Sequence, residues 1–224
     1  MAKSSRKRIL VTDDEPDIVD LITDMLGKLG YDSLKAYSGR ECLSVSEKEK
    51  PDLIFLDIMM NPMDGWEVAS AMKKDPMLHN IPIIMITGKQ LTLEDVRDRA
   101  HLIENYIMKS SLTKDVLKKS IDDVFTAKTK TERIMSMAGK SGIEREMLTE
   151  TRDRYSRLFS QNRTNKKLLN LLLLVYAHEK GNAGIDNMMV SLKKGVSQQD
   201  DELSRLEKML MVDRPSQKRR GKNT

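Results

Sequence analysis

Residues 53–57 read Leu-Ile-Phe-Leu-Asp, four apolar residues closed by an acid. Four to five apolar residues with no polar alternation mark a strand buried on both faces, as in a parallel sheet covered by helices. An acid closing such a strand is carried to the carboxyl edge of the sheet, where ligands of open parallel sheets bind.

Working outward, the same grammar recurs. Arg8–Thr12 is a second apolar run and ends in Asp13 and Asp14; Ser33–Tyr37, Ile81–Thr87 and Asn105–Met108 complete five predicted strands. Helical spacing fills the gaps. Pro16 opens the first helix ahead of Ile18, Leu21, Ile22, Met25 and Leu26, since proline suits a first helical turn. Thr92 with Asp95 forms a capping-box pattern before the fourth helix, and the fifth starts near Thr113. The expectation is an α/β fold, a doubly wound five-stranded parallel sheet, over residues 7–127.

Beyond Phe125 strand patterns stop, and no proline occurs between Pro82 and Pro215. Residues 128–142, with Gly139 and Gly142, read as a linker. A heptad series, Leu148, Tyr155, Asn162, Leu169 and Tyr176, runs beside Thr151, Leu158, Asn165 and Leu172, a helix-pairing stripe with two polar interruptions. Gly195 reads as a turn and Gln198–Met211 as a shorter returning helix with Leu203, Leu206 and Leu210 inward. Residues 143–212 are therefore expected to form an all-α helical hairpin or coiled-coil module for dimerisation and output. Basic tails are expected at 1–6 and, disordered, at 213–224.

Composition narrows the function classes. Of 224 residues, 39% are hydrophobic and 33% charged, suiting a globular chain. The single cysteine, Cys42, excludes an internal disulfide framework and a multi-cysteine zinc site. No apolar segment follows the basic start, and the run Leu168–Val175, which reads as buried helix, is too short to span a bilayer of about 30 Å, so a cytoplasmic protein without membrane contact is expected. The net charge of +5 divides unevenly. Residues 1–127 hold 18 Lys/Arg against 22 Asp/Glu, −4, and residues 128–224 hold 21 against 12, +9. The basic tail Lys218, Arg219, Arg220 and Lys222 suits nucleic acid or an acidic partner, but no DNA-binding motif or aromatic interleaving accompanies it, so nucleic acid is not the expected partner.

Chemistry converges at the strand ends: Asp13 and Asp14 after the first, Asp57 closing the third, Thr87 closing the fourth and Lys109 after the fifth. Grouped carboxylates repel unless a cation intervenes, and an all-oxygen set favours Mg²⁺ or a similar hard ion. Asp57 is then placed as a nucleophile toward phosphorus, with Lys109 and Thr87 Oγ on phosphoryl oxygens. Taken singly, each is an ordinary surface residue; the joint spacing is what carries the reading.

Val11-Thr12-Asp13-Asp14-Glu15, Leu56-Asp57-Ile58-Met59-Met60 with Met63-Asp64-Gly65, Ile86-Thr87-Gly88 and Tyr106-Ile107-Met108-Lys109 resemble the receiver domains of two-component response regulators, which are flavodoxin-like, over residues 7–126. The resemblance implies Asp57 as phosphoacceptor and Mg²⁺ held by Asp13 or Asp14, Asp57 and the Met59 carbonyl. It implies a sensor histidine kinase as phosphodonor and phosphoryl acceptance, with autodephosphorylation, in place of ordinary enzyme turnover. Thr87 and Tyr106 would form a coupled switch in which Thr87 moves inward and Tyr106 turns into the space it leaves. Three positions depart from the family: Ser110 stands where proline follows the lysine, Asn61-Pro62 where Pro-Gly is common, and Gly88 where alanine is common.

The segment from Asn165-Lys166-Lys167-Leu168 through Val175-Tyr176-Ala177-His178-Glu179-Lys180-Gly181-Asn182 resembles the dimerisation and phosphotransfer helix of archaeal histidine kinases. It implies a homodimer through the C-terminal helices and names His178, Glu179 and Asn182 as a second phosphotransfer site. A surface histidine on an inherited dimerisation helix that has lost phosphotransfer is the preferred reading of His178. His79 and His101 read as loop and helix-surface residues. The leading expectation is a response regulator phosphorylated on Asp57 and signalling through its helical module; a phosphorelay protein using His178 and a DNA-binding regulator are the alternatives.

Overall fold

The structure, a computed structural model, describes residues 6–138, 145–176 and 183–211. Five parallel strands, β1 (Arg8–Thr12), β2 (Asp32–Ala36), β3 (Leu53–Leu56), β4 (Ile83–Thr87) and β5 (Asn105–Met108), lie in the order β2-β1-β3-β4-β5. Helices α1 (Pro16–Lys28), α2 (Gly39–Glu49), α3 (Gly65–Lys74), α4 (Leu93–Arg99) and α5 (Lys114–Ala138) connect or follow them. Every residue of β3 and β4 is buried, whereas β2, an edge strand, buries only Ala36. The apolar cluster on one sheet face joins Ile9, Val11, Phe55, Ile84, Ile86 and Ile107 to Val19, Ile22 and Leu26 of α1 and Leu117, Ile121 and Val124 of α5. Alternation along the strands sends Leu10, Ile54, Leu56 and Met85 to the other face.

The chain divides into two compact units. The first runs to Phe125 and takes in Lys167–Met189, and within it Lys167 Nζ donates to the Ile103 carbonyl at 2.6 Å. The second comprises Thr126–Lys166 and the chain from Val190. It contains most of two long helices, α6 (Arg145–Tyr176) and α7 (Ala183–Met211). Tyr155, early in α6, donates to Glu207, late in α7, at 3.1 Å, while Asn162 Nδ2 donates to the Val196 carbonyl at 3.3 Å. The two helices are therefore antiparallel. Their seam holds Tyr155 with Leu203, Leu206 and Leu210.

Three expectations change. Helix α5 continues to Ala138, so most of the expected linker 128–142 is helical. The returning helix starts at Ala183 instead of Gln198 and runs through Gly195 without a turn. Of the run Leu168–Val175, Leu171, Leu172 and Val175 are buried, but Leu173 and Leu174 are exposed. The tail residues 1–5 and 212–224 lie outside the described residues.

The start of α3 sets the acidic strand end. Asp64 caps the helix through a capping box with Glu67, and Gly65 N donates to the Ile58 carbonyl at 3.0 Å. A Cβ on Gly65 would sit 2.1 Å from the Asp57 carbonyl oxygen, a backbone atom that cannot yield. Gly88, by contrast, has open space around its Cβ direction. Gly65→Ala should cost about 1–3 kcal/mol through overpacking, and Gly88→Ala should stay within about 0.5 kcal/mol. Urea unfolding of both variants checks this; equal costs would refute the close approach at Gly65.

Candidate functional site

The acidic site is assembled at the carboxyl ends of β1, β3 and β5. Asp13 follows β1 and is 1% exposed; Asp57 follows β3 and is 2% exposed. Asp14 is exposed beside them. One carboxylate oxygen from each of the three can be chosen so that all lie within 4.8 Å of one another. Lys109, just after β5, reaches into this group. Its Nζ is 2.9 Å from Asp13 Oδ2, 3.1 Å from Asp57 Oδ2 and 3.0 Å from Glu15 Oε1.

The electrostatics are unbalanced. Burial, the largest influence, lifts Asp13 above the usual carboxylate value, and the Lys109 contact and the Glu15 amide offset this only in part. Burial works against the Lys109 ammonium, but the contacts to Asp13 and Glu15 and the field of Asp57 outweigh it and raise its pKa well above that of a free lysine. Lys109 is therefore a fixed cation. Asp57 Oδ1 is buried and has no hydrogen-bond partner, an acceptor left open in a group that already carries three negative charges against one positive. Carboxylates alone, in this number and spacing, fit a hard divalent cation.

The structure brings together Asp13, Asp14, Asp57 and Lys109. Thr87, fully buried at the end of β4, accepts from the Lys89 amide at 3.2 Å. Tyr106 on β5 is buried, its hydroxyl donating to the Lys89 carbonyl and lying 3.1 Å from Met108 Sδ. Burial, then the fields of Asp95 and Asp57, push its phenol up to about 12, so it is a hydrogen-bond donor at any ordinary pH. The Met59 side chain is exposed beside Asp57. Asn61-Pro62 is a cis peptide, and Lys109–Ser111, carrying Ser110, forms a single 3₁₀ turn. His178, Glu179 and Asn182 lie outside the described residues. His79 and His101 are exposed, as expected.

Sequence reading missed two participants. Glu15 is the third partner of Lys109, and Lys89 links Thr87 to Tyr106 through its own backbone. The signal for Glu15 was available: glutamate occupies the N-cap of α1 without making a side-chain cap, although Ser, Thr, Asp and Asn are the residues that cap well. Nothing in the sequence marks Lys89, whose role is played by its amide and carbonyl. The groove of ≈ 700 Å³ beside Trp66, Ser70, Lys74 and Arg99 lies between α3 and α4, and neither Asp13, Asp14 nor Asp57 lines it.

The chain belongs to the response regulator receiver family: the model of the response regulator receiver domain matches residues 9–122. Residues 9–122 are thus a response regulator receiver domain, and receiver domains accept phosphoryl groups and bind Mg²⁺ at such an acidic pocket. A second model, Metanogen output domain 2, matches residues 127–213, so an output module distinct from the receiver follows it.

Similar proteins include the alkaline phosphatase synthesis transcriptional regulatory protein PhoP of Bacillus subtilis, 37% identical over 110 residues, 49% of this chain and 45% of that one. The chain thus spans less than half the length of the curated relatives it matches. A CheY-like receiver domain protein from Methanospirillum hungatei is 29% identical, with TM-score 0.52, covering 56% of this chain and 98% of that one. The chemotaxis protein CheY4 of Vibrio cholerae is 25% identical, with TM-score 0.50, covering 54% of this chain and 99% of that one. Among the described residues no helix is long and apolar enough to cross a membrane.

Mg²⁺ should raise the melting temperature of the wild type, because a ligand that binds only the folded state stabilises it by about 2.7 kcal/mol at a hundred times its Kd. Asp13→Asn relieves a buried carboxylate whose pKa is raised. At pH 7 that ionised group opposes folding, its penalty vanishing only as the pH falls below its ordinary value. The variant should melt higher than wild type without metal and lose the Mg²⁺ response. A retained response in differential scanning calorimetry would remove Asp13 from the cation site.

Proposed function

We propose that Asp57 is the phosphoacceptor and that its phosphorylation, by a sensor histidine kinase and in a Mg²⁺-dependent reaction, signals through the helical module at residues 127–213. The observation that carries this is Asp57 itself, a carboxylate closing a buried strand with one oxygen on Lys109 and the other unpartnered. An Asp57 oxygen forms the new bond to phosphorus while the bond to the donor's leaving group breaks and that group departs with the electron pair. Lys109 holds a phosphoryl oxygen as a point charge and Thr87 Oγ donates to another. Asp13, Asp14 and Asp57 with the Met59 carbonyl would hold Mg²⁺, which would supply neutralisation of the charge shared by carboxylate and phosphoryl oxygens.

Coupling to the rest of the domain runs through Lys89. Its amide donates to Thr87 Oγ1 and its carbonyl accepts from Tyr106, so a shift of Thr87 toward a phosphoryl oxygen moves the anchor of the Tyr106 hydroxyl. With Tyr106 already inward, the switch is a change in the hold on this ring and in the β4–α4 loop, in place of a large rotation.

Intact mass of wild type and Asp57→Asn after incubation with acetyl phosphate and Mg²⁺ tests the site without the cognate kinase. Wild type should gain one phosphoryl mass, dependent on Mg²⁺, and Asp57→Asn should gain none. Gain by both would move the phosphoacceptor elsewhere.

For the output module we propose homodimer formation through α6 and α7. Support comes from Leu173 and Leu174 near the end of α6, 42% and 39% exposed, and Met188 near the start of α7, 39% exposed, apolar side chains that water does not favour. Sedimentation velocity should give a dimer for wild type and a monomer for Leu173→Glu with Leu174→Glu, with unchanged helix content. A monomeric wild type would refute it.

A further inference from the structure

An ammonium group has three N–H donors, and all three of Lys109's are placed against carboxylates: Asp13 at 2.9 Å, Glu15 at 3.0 Å and Asp57 at 3.1 Å. A phosphoryl oxygen arriving at Lys109 must displace one of them. Asp13 and Asp57 side chains are 2% and 1% exposed and are fixed at strand ends, while the Glu15 side chain is 65% exposed and can return to water at little cost. Glu15 also makes no contribution as a helix cap: it sits at the N-cap of α1 with no side-chain capping bond, its carboxylate spent on Lys109 instead.

We infer that Glu15 is a positioning residue of the phosphorylation site, holding on Lys109 the place that a phosphoryl oxygen later takes. This rests on the assignment of Asp57 as phosphoacceptor. In the resting site Glu15 keeps Lys109 extended over Asp57 and blocks the donor that an incoming phosphate needs. Phosphoryl transfer from acetyl phosphate to Asp57 breaks the P–O bond to acetate, which leaves with the electron pair, and forms the Asp57 O–P bond. As it does so, Lys109 exchanges the Glu15 carboxylate for a phosphoryl oxygen. Glu15 therefore sets how readily the site accepts anionic phosphodonors, and its removal makes the site more reactive.

The test uses the full chain with two substitutions. Glu15→Ala removes both contact and charge. Glu15→Asp keeps the charge but is one methylene shorter, and aspartate at an N-cap is drawn to the free amides of the helix, away from Lys109. Three quantities are measured: the second-order rate constant for phosphorylation by acetyl phosphate, the concentration of beryllofluoride that half-saturates the site, and Mg²⁺ affinity by calorimetry. Both variants should react faster and bind beryllofluoride more tightly by about two- to fivefold, the scale of an ion pair open to water. Mg²⁺ affinity should be unchanged.

Unchanged or slower phosphorylation in both variants overturns the inference, as does acceleration in Glu15→Ala alone, which would make general charge repulsion the cause. A parallel loss of Mg²⁺ affinity also overturns it, placing Glu15 with the cation. Absence of any mass gain in the wild type would instead overturn the assignment of Asp57, a different and separately visible failure.

Discussion

Two buried carboxylates, Asp13 and Asp57, share one ammonium, Lys109, and the receiver depends on keeping them there. Placing ionised groups out of water is costly, and one lysine does not neutralise two of them together with Asp14 and Glu15 nearby. The site stays assembled because each member is fixed by an element with its own reason to form. β1 and β3 pair in register from Ile9 with Leu53 to Thr12 with Leu56, so the next residue of each strand, Asp13 and Asp57, emerges at the same level. β5 pairs with β4 and delivers Lys109 from the other side of β3. The apolar core in this way bears the cost of an electrostatic arrangement that would not persist by itself.

That division of labour explains what the sequence disclosed. The buried strand Leu53–Leu56 is wholly apolar, so its limits and the acid at its end are visible directly. β2 is an edge strand with one partner, most of its side chains meet solvent, and its span was read one residue late. β4 was read two residues early because Ile81 and Pro82 extend the apolar run. There the chain already bonds to β3, Ile54 N donating to the Pro82 carbonyl at 3.0 Å, but Pro82 has no amide with which to continue the ladder.

Among the site residues, those acting through charged side chains at strand ends were legible. Glu15 was visible only as an oddity of capping, and Lys89, acting through backbone groups that every residue possesses, was invisible. Long-range partners of this kind depend on loop conformation. The helical half misled for a related reason. Glycine costs a helix about 1 kcal/mol, which makes Gly195 read as a turn, but the packing of Leu203, Leu206 and Leu210 on α6 recovers more than that.

The helical module uses polarity differently from the receiver. Asn162 is 4% exposed, yet it sits in a helix-pairing seam where leucine would bury more apolar area. Its Nδ2 is satisfied by the Val196 carbonyl, and one turn along Asn165 Nδ2 donates to Gln199 at 3.1 Å. A seam of leucines alone fits equally well after sliding by one heptad, whereas a buried amide left without its partner would cost several times what its hydrogen bond contributes. The two asparagines thus exchange some stability for a single register of α6 on α7. A register that cannot slide is what an output element needs if a small displacement imposed at one end is to arrive undiminished at the other.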